Sequence, residues 1–369
     1  MNPKEPRSRR LYSDILVSFS RKQHRDTVQV LLCHFLAALG QPRLNSATVK
    51  SPSAISRFLN HYDWNLRAVI RIMRRHALEQ YFEYRQQFRG RRPRLELIVD
   101  LTSLGKEGQF TALTGWMHTL NGVHGVHVVI LFLCCGTFRL PWSFLIWRGK
   151  GQPSPAMLAL KLLRGLPVEV RQGNRDIHVL ADAAFSSKPF IQGVVDLGFQ
   201  GFIGIPGNRT TTTGVQLKSL QKQGMKIELP DLPGIPIWVC WIWLKTKTGK
   251  EQRFVISTAP RSPANIRQTG KRRWKIEAFF KTLKSRFGFG RFGQHSKMGV
   301  LRYLCLSLLS YQICHFEHVD SQQEVTSCWP DWGALARTVR QKLCGWVRLS
   351  ELKAELKALN DVLDAIFIM

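Results

Sequence analysis

The sequence predicts an α/β protein: a mixed sheet flanked by helices, with a helical N-terminal domain and a β-rich insertion. Three observations lead there. From residue 95 onward, short apolar runs alternate with helix-length amphipathic runs, the pattern of strands interleaved with helices. Residues 1–94 lack that alternation and read as helices alone. Between 207 and 264, three β-rich segments separated by turn residues interrupt the alternation.

In chain order, residues 1–94 form a basic helical domain expected to bind DNA. Val28 to Leu39 is an apolar helix, followed by a loop with Pro42 and Asn45. Ser51 or Ser53 can cap a short helix running through Leu59, because either hydroxyl can accept from a free N–H of the first turn. The segment Thr48 to Asn60 has the small, basic character of a helix that enters a DNA groove; a plain helical bundle with a basic surface explains it equally well. Trp64 to Phe88 is a longer helix, and the run Arg89, Arg91, Arg92, Pro93, Arg94 reads as a charged linker.

Residues 95–206 begin the core. LELIVDL is a strand carrying Asp100, and the apolar runs 126–135 and 138–147, joined across a Gly136-Thr137 turn, complete an antiparallel meander. A helix from Pro155 to about Arg164 follows, then the strand IHVLADAAF ending at Asp182, a helix over 188–197 and the strand FQGFIGIP. The insertion, 207–264, contains KIELP, IPIWVCWIWLK and QRFVISTA and carries Trp238, Trp241 and Trp243. Alternation at 241 and 243 is that of one strand face. Residues 265–318 return to the core with a helix over 270–284, a Gly-rich loop and an apolar helix from Met298 to about Cys314. The tail, 319–369, ends in a helix over 349–366.

Composition narrows the partners. The 369 residues hold 54 Lys plus Arg against 25 Asp plus Glu, a net charge of +29 that points to a polyanion, with nucleic acid the first candidate. The excess is widespread, with nineteen basic and six acidic residues in the first 95, so it is not one amphipathic membrane anchor. The most apolar run, Val128 to Phe138, is too short to span a bilayer. A hydrophobic share of 44% excludes a disordered chain. The opening MNPKEPRSRR is not a secretory signal, and eight cysteines without a CxxC pair fit reduced, packed thiols; both lead to the expectation of a cytoplasmic protein. Cys134 and Cys135 read as small apolar fillers. His118, His124 and His127 read as ordinary polar or strand positions in preference to zinc ligands, and His178 as a hydrogen-bonded core histidine on the face of Asp182.

Chemistry concentrates on three carboxylates. In the helix over 270–284, Ile276, Phe279, Phe280, Leu283 and Phe287 form one apolar stripe, with Arg273, Glu277, Lys281 and Lys284 beside it. Glu277 is the one acidic residue among twelve Lys or Arg from 261 to 303. It serves either as a metal ligand beside a bound polyanion or in i, i+4 ion pairs with Arg273 and Lys281. Asp100 and Asp182 lie in or at the end of apolar strands, where a carboxylate is costly unless a cation or backbone N–H groups compensate it. Three hard oxygen ligands suit Mg²⁺ or Mn²⁺, and two such ions about 3.5–4 Å apart serve in-line phosphoryl displacement.

Asp100, Asp182 and Glu277, in that order on strand, strand and late helix, resemble the DDE triad of insertion-sequence transposases, whose core is ribonuclease-H-like. Within that family the chain is similar to the bacterial cut-and-paste group with the signature Tyr-x2-Arg-x3-Glu-x6-Lys. Arg273, Glu277 and Lys284 match at the right spacing, with Trp274 after the Arg and Gly270 in the Tyr position. Asp100-Leu101-Thr102 matches an Asp-x-Thr after the first strand, and the similarity runs from about Leu95 to Cys314.

The resemblance implies a DNA transposase that cuts the ends of its element and joins them to target DNA, with Asp100, Asp182 and Glu277 holding two Mg²⁺ or Mn²⁺ ions. Arg273 and Lys284 would grip phosphates, Trp274 would wedge against terminal bases, and an insertion Trp would stack on a flipped base if the cut ends pass through a hairpin. Ion pairing is then left to Lys281. The expected partner is double-stranded DNA, both element ends and target, held by a dimer or larger assembly at the nucleoid. Two alternatives stand beside it: a metal-dependent nuclease on the same fold without strand transfer, and a DNA-binding protein that has lost catalysis, for which Gly270 speaks and against which the intact Asp100, Asp182 and Glu277 speak.

Overall fold

The strand β1 (Leu95–Gly105) sits near the middle of a nine-stranded mixed sheet, and its neighbours decide where the carboxylates meet. The computed structural model describes residues 5–37, 50–90, 93–108, 110–172, 176–246, 249–321, 330–345 and nine positions between 347 and 360. The loop expected around Pro42 and Asn45, Cys328 and much of the helix expected over 349–366 lie outside the described residues.

β2 (Met117–Leu120), β3 (Val123–Cys135) and β4 (Phe138–Trp147) follow β1. β3 pairs antiparallel with β1 and with β4, giving the expected meander. β2 was not legible in the sequence: MHTL is too short and too polar to show an apolar run, and it is held by pairing with β3. β5 (Ile177–Ala181) pairs parallel with β1, and β6 (Gln200–Ile205) parallel with β5. This is a ribonuclease-H-like mixed sheet, as the resemblance implies.

The insertion strands β7 (Met225–Ile227), β8 (Ile237–Thr246) and β9 (Gly249–Ser257) do not make a layer of their own. β9 pairs antiparallel with β6, so the sheet runs β2-β3-β1-β5-β6-β9-β8-β7. The physical reason is the edge of β6: a buried strand with unpaired backbone groups is costly, and β9 satisfies them.

Two compact units interleave along the chain, one comprising 83–108 and 114–279, the other 1–82, 109–113 and 280–369. In the first, α5 (Pro155–Arg164), α6 (Val168–Gln172) and α7 (Lys188–Asp196) accompany the sheet, α5 packing on β3 and β4 and α7 on β6. α8 (Pro263–Lys271) packs on β6, β8 and β9, and a single 3₁₀ turn, Arg272–Trp274, joins it to α9 (Lys275–Arg286). The expected helix over 270–284 is therefore two helices with a tight turn between them. Its apolar stripe is as expected, with Ile276, Phe279, Leu283 and Phe287 fully buried and Phe280 nearly so.

The other unit is helical. α1 (Arg7–Val17), α2 (Lys22–Phe35) and α3 (Pro52–Asn60) pack on α10 (Lys297–Ser321), as does α11 (Trp332–Leu343); α4 (Leu66–Gln86) lies mostly in this unit. α10 is apolar all round, which suits a helix buried on every side. Ser51, not Ser53, caps α3, accepting from the Ala54 N–H at 3.2 Å.

Arg302, 4% exposed, is an unusual core residue. Its terminal nitrogens donate to the carbonyls of Leu59 (3.0 Å) and Trp64 (3.2 Å), and its guanidinium lies 4.5 Å from the Trp64 ring centre. These carbonyls end α3 and its following loop, where a cation is favoured. Arg302→Met is expected to cost about 2–3 kcal/mol, because it removes the charged donor to the buried Leu59 carbonyl and one of the two donors to the Trp64 carbonyl; urea titration followed by far-ultraviolet circular dichroism measures it.

Candidate active site

Parallel pairing sets the first half of the site. β1 and β5 run in the register Leu95↔Ile177 to Ile98↔Leu180, and two further residues along that register place Asp182, just past the end of β5, beside Asp100. Alternation puts Glu96, Ile98 and Asp100 on one face of β1. Phe132, opposite Ile98 on β3, stacks with Phe279 of α9 at 4.4 Å, so this face lies under α9. The sheet thus supplies two aspartates and the covering helix supplies Glu277.

Arg273 connects them. Its Nη1 donates to Asp100 Oδ2 at 2.9 Å and its Nη2 to Glu277 Oε1 at 2.7 Å. The i, i+4 pair that the sequence reading reserved for Lys281 therefore forms with Arg273. Each aspartate also accepts from the backbone: Asp100 Oδ1 from the Leu101 N–H at 2.8 Å, Asp182 Oδ1 from the Ala184 N–H at 3.0 Å.

Asp100 is only 8% exposed, and burial pushes its carboxyl up to about 7; Arg273 opposes the rise, while the charges of Asp182 and Glu277 add to it. Asp182 and Glu277 are thus close enough to Asp100 to repel its charge. A cation would relieve that repulsion, and the donor set is the all-oxygen one that hard divalent ions prefer. Even so, among the described residues no three His, Cys, Asp or Glu side chains are gathered closely enough to hold a metal. Arg273 stands between two of them, in the place of a positive ion.

A cleft of about 650 Å³ opens beside them, lined by Asp182, Arg273, Trp274 and Glu277 together with Gly204 and Arg253. Trp274 is 37% exposed there. Lys284 lies two turns beyond Glu277 on α9, and partial burial lowers its proton affinity. Gly270 also faces the cleft, and a Cβ there would lie 3.0 Å from a Val255 methyl; the glycine lets α8 approach β9 closely. Trp243, 58% exposed, is not among the cleft-lining residues, nor are Trp238 and Trp241.

One acidic residue of β1 beyond the three carboxylates is engaged near the site, Glu96. It is buried beneath the same helix, accepting from Lys275 Nζ at 2.7 Å and ion-paired with Arg272 Nη1 at 2.8 Å. The signal was there: a second acidic residue inside LELIVDL, as conspicuous as Asp100.

Other polar residues serve packing. His127 is fully buried with both ring nitrogens engaged, Nδ1 with Ser103 Oγ (2.8 Å) and Nε2 with the His118 carbonyl (2.9 Å). His178 departs from expectation: neither ring nitrogen finds a hydrogen-bond partner, its ring packs 4.6 Å from Phe202, and burial pushes it down to about 4, which keeps it neutral. Cys134 and Cys135 are buried, and burial pushes both thiols up to about 12. No described helix is long and apolar enough to cross a membrane.

A family model described as a transposase DDE domain matches residues 91–313, well over half of the chain. No curated protein matches.

Proposed function

Because the chain belongs to the transposase DDE-domain family, we propose that it cleaves DNA at the ends of an insertion element and joins the freed ends to target DNA. The observation that carries this reading is the register that brings Asp182 toward Asp100, with Arg273 bridging Asp100 to Glu277 beside an open cleft.

Asp100, Asp182 and Glu277 would hold Mg²⁺ or Mn²⁺, in the two-ion arrangement. When bound, such ions lower the pKa of an attacking water and stabilise the attacking and leaving oxygens of an in-line displacement at phosphorus. The chain's own groups do the rest. Arg273, once its carboxylates have another cation, can turn its fork of donors to a phosphate in the cleft. Lys284 extends the positive face along α9, and Trp274 offers an aromatic edge to the terminal bases. The charge of +29 draws in both DNA partners. Holding two ends at once calls for a dimer or larger assembly, working at the nucleoid.

The test is a labelled duplex bearing the element's own ends, incubated with the protein and Mn²⁺. Joined products support transposition; cut ends without joining leave a nuclease; binding without either leaves a protein that only occupies the ends. Arg273→Gln is expected to slow end cleavage about 10²-fold, the scale of removing one charge-stabilising donor. It should also flatten the salt dependence of end binding, which gel-shift titration at several salt concentrations measures.

A further inference from the structure

The turn Arg272–Trp274 that carries Arg273 and Trp274 to the cleft touches β5 and α8, and Arg272 donates to Thr269 Oγ1 at 3.0 Å. It is one 3₁₀ turn, too short to be rigid alone, between α8, which packs on β6, β8 and β9, and α9, whose Phe279 stacks on Phe132 of β3. Yet the three basic residues flanking Trp274 (Arg272, Arg273 and Lys275) all reach back to β1. Arg273 reaches Asp100, whereas Arg272 and Lys275 both reach Glu96, four residues earlier on the same strand face.

The two attachments differ in kind. Asp100 accepts Arg273 at the edge of the cleft, where a bound cation and DNA would compete for both partners. Glu96, 3% exposed, lies deeper, next to Cys134 across the ladder, away from the cleft lining. Each of its carboxylate oxygens is held by a different cation, Oε1 by Arg272 and Oε2 by Lys275. A buried carboxylate so compensated has no reason to change partners, because leaving either cation would strand a charge.

We propose that Glu96 is a positioning residue: it bolts the Arg272–Lys275 turn to β1, so that Arg273 can exchange Asp100 and Glu277 for DNA phosphate without the turn moving. The inference rests on the transposase reading of this site. It assigns no contact with DNA or metal to Glu96 itself. Its effect passes through Arg272 and Lys275 to the placement of Arg273, Trp274 and Glu277.

Glu96→Gln keeps the shape and removes the charge. Hydrogen exchange of the full-length protein is the first measurement. Amides of residues 272–278 are expected to lose about tenfold in protection, the scale of one charged hydrogen bond, while the β1–β3 ladder stays as protected as in the wild type. The second measurement is end cleavage across a Mn²⁺ titration. The rate at saturation should fall at least about tenfold, the Mn²⁺ concentration for half-maximal rate should rise, and Glu96→Asp should recover part of both. Should Glu96→Gln fail to fold, Lys275→Gln removes the same contact from its more exposed side and is read identically.

Unchanged protection over 272–278 overturns the proposal. So does a loosened turn that leaves rate and Mn²⁺ dependence as they were. If the wild-type protein itself cut no DNA, the function would be what had failed, and the exchange comparison would still decide whether Glu96 anchors the turn.

Discussion

Asp182→Asn is expected to abolish end cleavage and end joining together, by on the order of 10³-fold or more, without unfolding the protein. The conservative amide is chosen for a structural reason. Asp182 caps the 3₁₀ turn of residues 183–185, its Oδ1 accepting from the Ala184 N–H. Asparagine offers the same acceptor, so the turn survives while the negative charge is lost. A carboxylate that only capped a turn could be replaced this way at little cost. One that ligates a divalent ion could not, because an amide oxygen is a far weaker ligand for a hard cation at this position. Single-turnover cleavage of labelled ends in Mn²⁺, set beside thermal melting, separates the two roles. Wild-type cleavage by a normally folded variant would remove Asp182 from the site.

Asp100→Asn should likewise stop cleavage, but it should make the metal-free protein more stable. Burial holds the Asp100 carboxyl at about 7, against an ordinary value of 3.8. Between those values the folded state binds a proton that the unfolded state has released. Stability therefore falls as pH rises from about 4 to about 7, and the full penalty is present above that window. Three pH units at about 1.4 kcal/mol each set an upper bound of about 4 kcal/mol. Asparagine carries no charge and escapes the penalty, while its one amide oxygen can keep either the Leu101 N–H or the Arg273 contact, not both. Melting in the presence of a chelator should then show little difference between variant and wild type near pH 4. The variant should gain several degrees at pH 8. A difference that does not change with pH would mean that Asp100 is not held as a high-affinity acid. Such a gain of stability on losing function is expected where carboxylates are gathered for function and not for folding.

The two aspartates were legible because each breaks an apolar strand, a conflict visible in sequence: LELIVDL and IHVLADAAF contain carboxylates that a plain core would not. Glu277 was legible by contrast with its surroundings, one acid in a strongly basic stretch. Less visible was how Arg273 would be used. Helical spacing permits a pair with Glu277, and family resemblance points to phosphate, but only the fold shows the same guanidinium also reaching Asp100, 173 residues away in the chain. Glu96 escaped notice because its partners, Arg272 and Lys275, flank the signature positions without belonging to them. His178 was misjudged because a single strand does not reveal that its neighbours across the ladders, Glu96 and Gln200, have their polar groups engaged elsewhere.

By itself the sequence determined the alternation of strands and helices, the buried stripe of α9, the positive charge and the three carboxylates with their order. These depend on local periodicity and composition, which any stretch of chain displays without knowing its neighbours. Only the tertiary structure decided that β9 would extend the sheet from β6. It alone set the parallel register that carries Asp182 to Asp100, and broke the expected single helix by a turn bolted to β1. Strand register and long-range ion pairs are choices among many partners of similar local preference, and they are settled by which arrangement leaves the fewest buried polar groups unpaired.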